Sequence, residues 1–281
     1  QRDLIAQAQT AAFEAVGAAQ NGGQFDPQAL IQTLQKNAQS MGVDLNAGSD
    51  ESREEGYDNA VSYIEQLRTD FAESEPRPAA RGSREARVFG YLLGGVVGNL
   101  NGHDLDQLDP EEHEPFQEDR VRMILREFWG ITNTDELGET LADLLEEGGM
   151  SALYAQYAAE ESFESLAQDI DPEDASGAME RWLFARHFKD RVSVEQMRAW
   201  DIGRAAALVR WGHFVGLIDE GTAEAVLEAC AEEACERFGG WREFGISYLF
   251  GGLFWRLAAG EDAAAEWLDD AAGSCAELLS D

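Results

Sequence analysis

Trp200, Asp201, Arg204, Arg210 and His213 are the residues of this chain whose types and spacing best suit chemistry. Steps of four, four and three put Trp200, Arg204, Leu208 and Trp211 on one helical stripe. Asp201 and Arg204 are three apart, the spacing of an intrahelical ion pair, and Trp200 stands one turn before Arg204, where its ring can stack on the guanidinium. As a ligand site the group is an anion or carboxylate pocket: the arginines supply planar donors, Asp201 orients one of them, and His213 titrates near neutral pH. As structure, Asp201 and Arg204 tie helices together through capping and backbone contacts while the tryptophans fill the core. The structural reading is the favoured one.

Other chemistry is scarce. No glycine-rich phosphate loop, dinucleotide fingerprint or His-Glu-x-x-His occurs, and the stretch from Gly245 through Ser247 to Leu249 misses the final glycine of a nucleophile elbow. No cofactor or metal is expected. His103 and His113 stand among carboxylates, a mixture that can ligate a metal, but no ligand spacing recurs and a solvated loop is the expectation. Cys230 and Cys235, five apart on one helix, point about 140° from each other and cannot bridge locally, so burial as small hydrophobes is expected. Acidic pairs such as Glu160 with Glu161 carry little information in so acidic a chain.

The composition bounds the partners. With 55 acids against 21 bases the net charge is −34, which repels nucleic acid and anionic membrane surfaces. The longest strongly apolar run, Val88 to Val97, is too short to span a bilayer, and no basic stretch followed by an apolar one opens the chain. A cytoplasmic location is expected. Charge is also unevenly placed: fifteen acids and no Lys or Arg lie between Glu127 and Glu180, then seven bases against three acids between Arg181 and Arg210. That basic island is expected to face the base-free acidic segment.

The elements that must position these residues are helices. No strand-like alternation of useful length occurs, so the predicted class is all-α, an irregular array of about ten helices. Residues 1–82 form a predicted helical extension, with helices over 1–20, from Pro27 to about Met41, and one carrying Tyr57, Val61, Ile64 and Leu67. The stretch Glu73 to Ser83, with Pro76, Pro78 and Gly82, is the predicted boundary with a second domain, 84–281. Arg84 to Asn101 is a predicted apolar helix whose Gly90, Gly94 and Gly98 admit a close neighbour. Asn133 or Thr134 caps a helix running to Leu145, and Ser193 with Gln196 forms a capping box for the Trp200 helix. Trp129, Trp200, Trp211, Trp241, Tyr248 and Trp255 are the predicted structural core, with Trp267 and Leu268 anchoring the tail.

These spaced blocks carry a resemblance. Trp200-Asp201-x-x-Arg204, Trp211-Gly212 with Gly216, and Trp241 through Tyr248 and Gly251 to Trp255 resemble the signature of the bacterial domain of unknown function 1266 (DUF1266). Trp129-Gly130-Ile131, followed by Glu136, Leu137, Leu144 and Leu145, resembles an earlier block of that family, and Arg87 to Leu108 its opening helix. The resemblance covers about Arg87 to Arg256. One departure stands out: where the family pattern implies Gly-His, this chain has Gly148-Gly149-Met150. The family implies no activity. The function expected from the sequence is therefore a non-enzymatic interaction protein with a protein partner, an acidic partner or inhibitor of a basic protein. The alternative is an enzyme for a small anionic substrate in a cleft near Arg204 and His213.

Overall fold

The computed structural model describes residues 50–71, 82–168, 170–171 and 174–280. The helices expected before residue 42, and most of the expected boundary at 73–83, lie outside these residues. The described residues hold twelve α-helices and no strand, so the chain is all-α as its periodicity predicts. In order they are α1 (Asp50–Asp70), α2 (Arg84–Leu93), α3 (Gly95–Asn101), α4 (Pro115–Trp129), α5 (Thr134–Ala142) and α6 (Gly149–Ala159). After these come α7 (Phe163–Leu166), α8 (Ala175–Phe188), α9 (Arg198–Phe214), α10 (Glu220–Arg237), α11 (Trp241–Arg256) and α12 (Glu261–Ser280). No helix of the described residues is long and apolar enough to cross a membrane.

The array is built around α9. Only Arg204 and His213 of its 17 residues escape burial, because Gly203, Ala205, Ala206, Ala207 and Gly212 let neighbours approach from every side. It packs against α11, α10 and α2 and touches α3 to α6. A helix buried all round has no solvent face for its charged side chains, so each needs an internal partner. The crossing with α11 is close in both directions. A Cβ at Gly203 would stand 2.8 Å from the ring of Tyr248, and one at Gly251 would collide with Trp200.

The expected continuous helix from Arg84 to Asn101 is broken at Gly94, whose N–H turns back to the Tyr91 carbonyl at 3.2 Å. The break lies where α9 comes close: a Cβ at Gly94 would lie 3.2 Å from the backbone nitrogen of Ala207, so the position suits glycine. Elsewhere the local signals hold. Asn133 caps α5 by accepting from the Glu136 N–H, and Ser193 and Gln196 complete their capping box over the short 3-10 turn Val194–Met197 that leads into α9. The turn after α5 is a π-helical segment, Asp143–Glu147, ending at Gly148.

Of the expected core aromatics, Trp200, Trp211 and Tyr248 are buried, whereas Trp129, Trp241 and Trp255 pack on the core but keep some exposure. Those three sit at or next to helix ends, which project past the packed interior. Tyr57, Val61 and Ile64 of α1 join the same core cluster. Of the cysteines, Cys230 and Cys275 are buried as expected of small hydrophobes, but Cys235 is exposed because it falls on the outer face of α10.

Candidate functional site

The polar residues of α9 go to separate places. Asp201, fully buried, accepts the N–H of Met150 on Oδ1 at 2.8 Å and that of Ser151 on Oδ2 at 3.1 Å. These are first-turn N–H groups of α6, which have no partner inside their own helix and favour a carboxylate. Gly148 and Gly149, with φ of 98° and 43°, set that approach, and a Cβ at Gly149 would press on Oδ1 at 2.7 Å. Met150, in the Gly148-Gly149-Met150 stretch where the family pattern implies Gly-His, thus serves Asp201 through its backbone. The side chain there is not the bonded group.

The expected Asp201–Arg204 ion pair is not formed. Asp201 pairs instead with Arg198, one turn earlier, at 3.5 Å. Arg198 also holds Glu233 at 2.7 Å and donates to the carbonyls of Leu144 and Leu145 in the π-helical turn. The carboxylate is saturated from that side. Burial pushes the Asp201 pKa up to about 6, against the opposing pull of the Ser151 and Met150 bonds and Arg198.

Arg204 lies with its guanidinium carbon 4.1 Å from the centre of the Trp200 ring and 5.4 Å from that of Trp255. The expected stacking on Trp200 is therefore present. Its Nε is buried without a hydrogen-bond partner, and burial lowers its pKa. Trp200 and Trp255 stack on each other at 5.3 Å, and Trp267 meets Trp200 edge-on at 5.5 Å. Gly252 makes room for Trp267, whose indole a Cβ at that position would strike.

Arg210 and His213 serve a different region. Arg210, 2 % exposed, donates Nε to the Leu108 carbonyl at 3.2 Å and a terminal nitrogen to the carbonyls of Gln107, at 2.8 Å, and Asp104. Burial lowers its pKa to about 10. His213 Nδ1 meets Asp109 at 2.9 Å. In the same segment His103 is buried, 3.3 Å from Glu111 and edge-on to Trp211, and burial first, then Arg210 and Arg120, lowers its pKa to about 4. His113 bridges Asp109 and Glu118 and stacks on Phe214 at 4.6 Å. The expected solvated loop is thus a pinned connection at its His103 end, because Arg210 supplies donors to its carbonyls.

Of the five candidate residues, then, Trp200 and Arg204 share one place and Arg210 and His213 another, and the five do not form a single site. Asp201 fastens α6, and Arg210 with His213 fastens the 103–114 connection. The basic island also differs from expectation. Its carboxylate partners among the described residues are Asp58 and Glu65 for Arg191, and Asp201 and Glu233 for Arg198, none of them between Glu127 and Glu180. Toward that acidic segment it donates to backbone carbonyls, from Arg198 to Leu144 and Leu145 and from Arg186 to Glu161. The role of Arg198 was open to sequence reasoning, since it too is three residues from Asp201; that of Trp267 at the Trp200 cluster had no local signal.

No group of three or more His, Cys, Asp or Glu able to hold a metal ion occurs among the described residues. No curated protein and no solved structure matches the chain. A family model does, that of the protein of unknown function DUF1266, over residues 124–281. The match takes in the Trp129 block, the Trp200 to Arg204 signature and all of α11, and it runs past Arg256 to the end of α12. The resemblance at Arg87 to Leu108 falls before it. With more than half of its length so matched, the chain belongs to the DUF1266 family.

Proposed function

We propose that the protein is a non-enzymatic helical module that binds a basic protein, through the outward face of α4. The observation that carries this is the exposure of Phe116 (74 %), Phe128 (77 %) and Met123 (45 %), three of the six large apolar side chains exposed among the described residues, all on one helix. Scattered exposed hydrophobes are ordinary, but two phenylalanines three-quarters in water on one element suit a contact surface. Val121 and Leu125 are the buried residues of α4, opposite Phe116 and Met123, while Phe128 extends the exposed surface round the C-terminal end of the helix; none of the three is buried in its packing. Phe116 and Met123, seven residues apart, share a stripe.

The charge around this face selects the partner. Between His103 and Trp129 there are nine acids and three arginines. Those arginines are already engaged, Arg120 with Glu111, Arg122 with Glu118 and Arg126 with Glu127. An apolar centre set among carboxylates fits an amphipathic helix whose apolar stripe is flanked by Lys and Arg. A second copy of the chain would set like charges against each other.

The test uses a synthetic helical peptide with Leu at helical spacing and Lys elsewhere, against a scramble of identical composition, at physiological salt by fluorescence anisotropy. The striped peptide is expected to bind about tenfold tighter than the scramble. The double variant Phe116→Ser/Phe128→Ser should lose that margin while melting like the parent, since both side chains are exposed. Equal binding of the two peptides would reduce the interaction to bulk charge and sink the reading.

A further inference from the structure

We infer that Arg204 and Arg256, with the indoles of Trp200, Trp255 and Trp267, form a binding site for a small carboxylate carried on a planar apolar body. The site lies on α9, α11 and α12, away from the outward face of α4, and it stands or falls independently of the partner-binding reading.

The first observation is an imbalance. In a chain with 55 acids and 21 bases, a cation should rarely lack an anion. Every other arginine among the described residues holds a carboxylate or a backbone carbonyl, including the buried ones: Arg198 takes Glu233 and Asp201, Arg210 the carbonyls of the 103–114 connection, and Arg181 the Trp255 carbonyl at 2.9 Å. Arg204 and Arg256 have neither among the described residues, and the Nε of each is buried without a partner. Both stand beside the same ring, with guanidinium carbons 5.4 Å and 5.6 Å from the centre of the Trp255 indole. Two cations left unpaired at one indole are a recognition surface for an anion.

The second observation is access. Arg204 and His213 are the two residues of α9 that are not buried, and His213 is already bonded to Asp109. Arg204 is thus the partly exposed position of α9 whose side chain holds no carboxylate or carbonyl among the described residues. Trp255, Arg256 and Trp267 are likewise only partly buried. The contact over the Trp200 ring uses none of the guanidinium N–H groups as hydrogen-bond donors, and a carboxylate accepts two such groups side by side. The indoles of Trp255 and Trp267 offer apolar faces to the body that carries the carboxylate.

Holding a desolvated cation without a counter-ion works against the fold, and this separates a ligand-binding arginine from a structural one. Arg204→Met is expected to melt at or above the parent in the absence of ligand. Intrinsic tryptophan fluorescence of the parent, titrated with benzoate at constant ionic strength, should change saturably, with inorganic phosphate and the uncharged benzamide giving weaker responses. Arg204→Met should weaken the benzoate response by about tenfold or more, the equivalent of about 1.4 kcal/mol. Arg256→Gln, at the end of α11, should weaken it several-fold without changing the melt, which keeps the test valid if the first variant does not fold. A flat benzoate titration of the parent, a benzamide response equal to that of benzoate, or a benzoate response unchanged in both variants overturns the inference.

Discussion

Asp201→Ala is expected to lower the free energy of unfolding by about 3 to 5 kcal/mol, the usual cost of removing one partner from a buried charged pair. The substitution strands the N–H groups of Met150 and Ser151 at the start of α6 and takes one carboxylate from Arg198, with no water at hand because Asp201 is fully buried. Urea denaturation at neutral pH reads the effect as a lower midpoint with an unchanged slope. A parent-like midpoint would mean that α6 is fastened by something other than this carboxylate.

Asp201→Asn adds a dependence on pH. Burial raises the folded pKa from 3.8 to about 6, so the fold favours the neutral acid. The corresponding stability is complete below the unfolded value and is lost as pH rises through the folded one. Between pH 5 and pH 7 the parent should therefore lose about 1 kcal/mol relative to Asp201→Asn, whose amide does not titrate. A gap that stays constant over this range would show that the two N–H bonds and Arg198 fully outweigh desolvation.

Asp201 also shows where sequence stops being legible. The helical class, the Asn133 cap and the Ser193 box depend on near neighbours, and each follows from spacing. Which arginine Asp201 takes does not, because Arg198 and Arg204 are both three residues away on the same helix. The choice is made by α6 and the π-helical turn before it, which bring the first-turn N–H groups and the carbonyls of Leu144 and Leu145 to the Arg198 side and leave Arg204 on the tryptophans. The same holds for Gly94, where the helix breaks against the backbone of Ala207, and for His103, which looks solvated among carboxylates until Arg210 draws its loop inward. Charge runs were the least informative feature: arginine finds carbonyls as readily as carboxylates, so the sign change at Arg181 did not name its partners.

Arg210→Ala carries the second large effect, and it links the core to the proposed docking face. One guanidinium satisfies the carbonyls of Asp104, Gln107 and Leu108, and around it His103 is held by Glu111 and His213 by Asp109. Its removal leaves buried acceptors unpaired and a void under the connection, an expected loss of about 3 kcal/mol or more. The loss should be local first: amide exchange over residues 103–114 accelerates, and a Glu-specific protease gains cleavage at Glu111 and Glu112. Arg210→Lys should recover only part, since a lysine ammonium lacks the planar fork that spans these carbonyls. Unaltered exchange in Arg210→Ala would show that the connection is held by its histidines instead. If it does loosen, the start of α4 follows, because Arg120 of α4 is tied to Glu111 and Glu118 of α4 to His113. The striped peptide should then bind Arg210→Ala more weakly than the parent, although Phe116, Met123 and Phe128 are all still present.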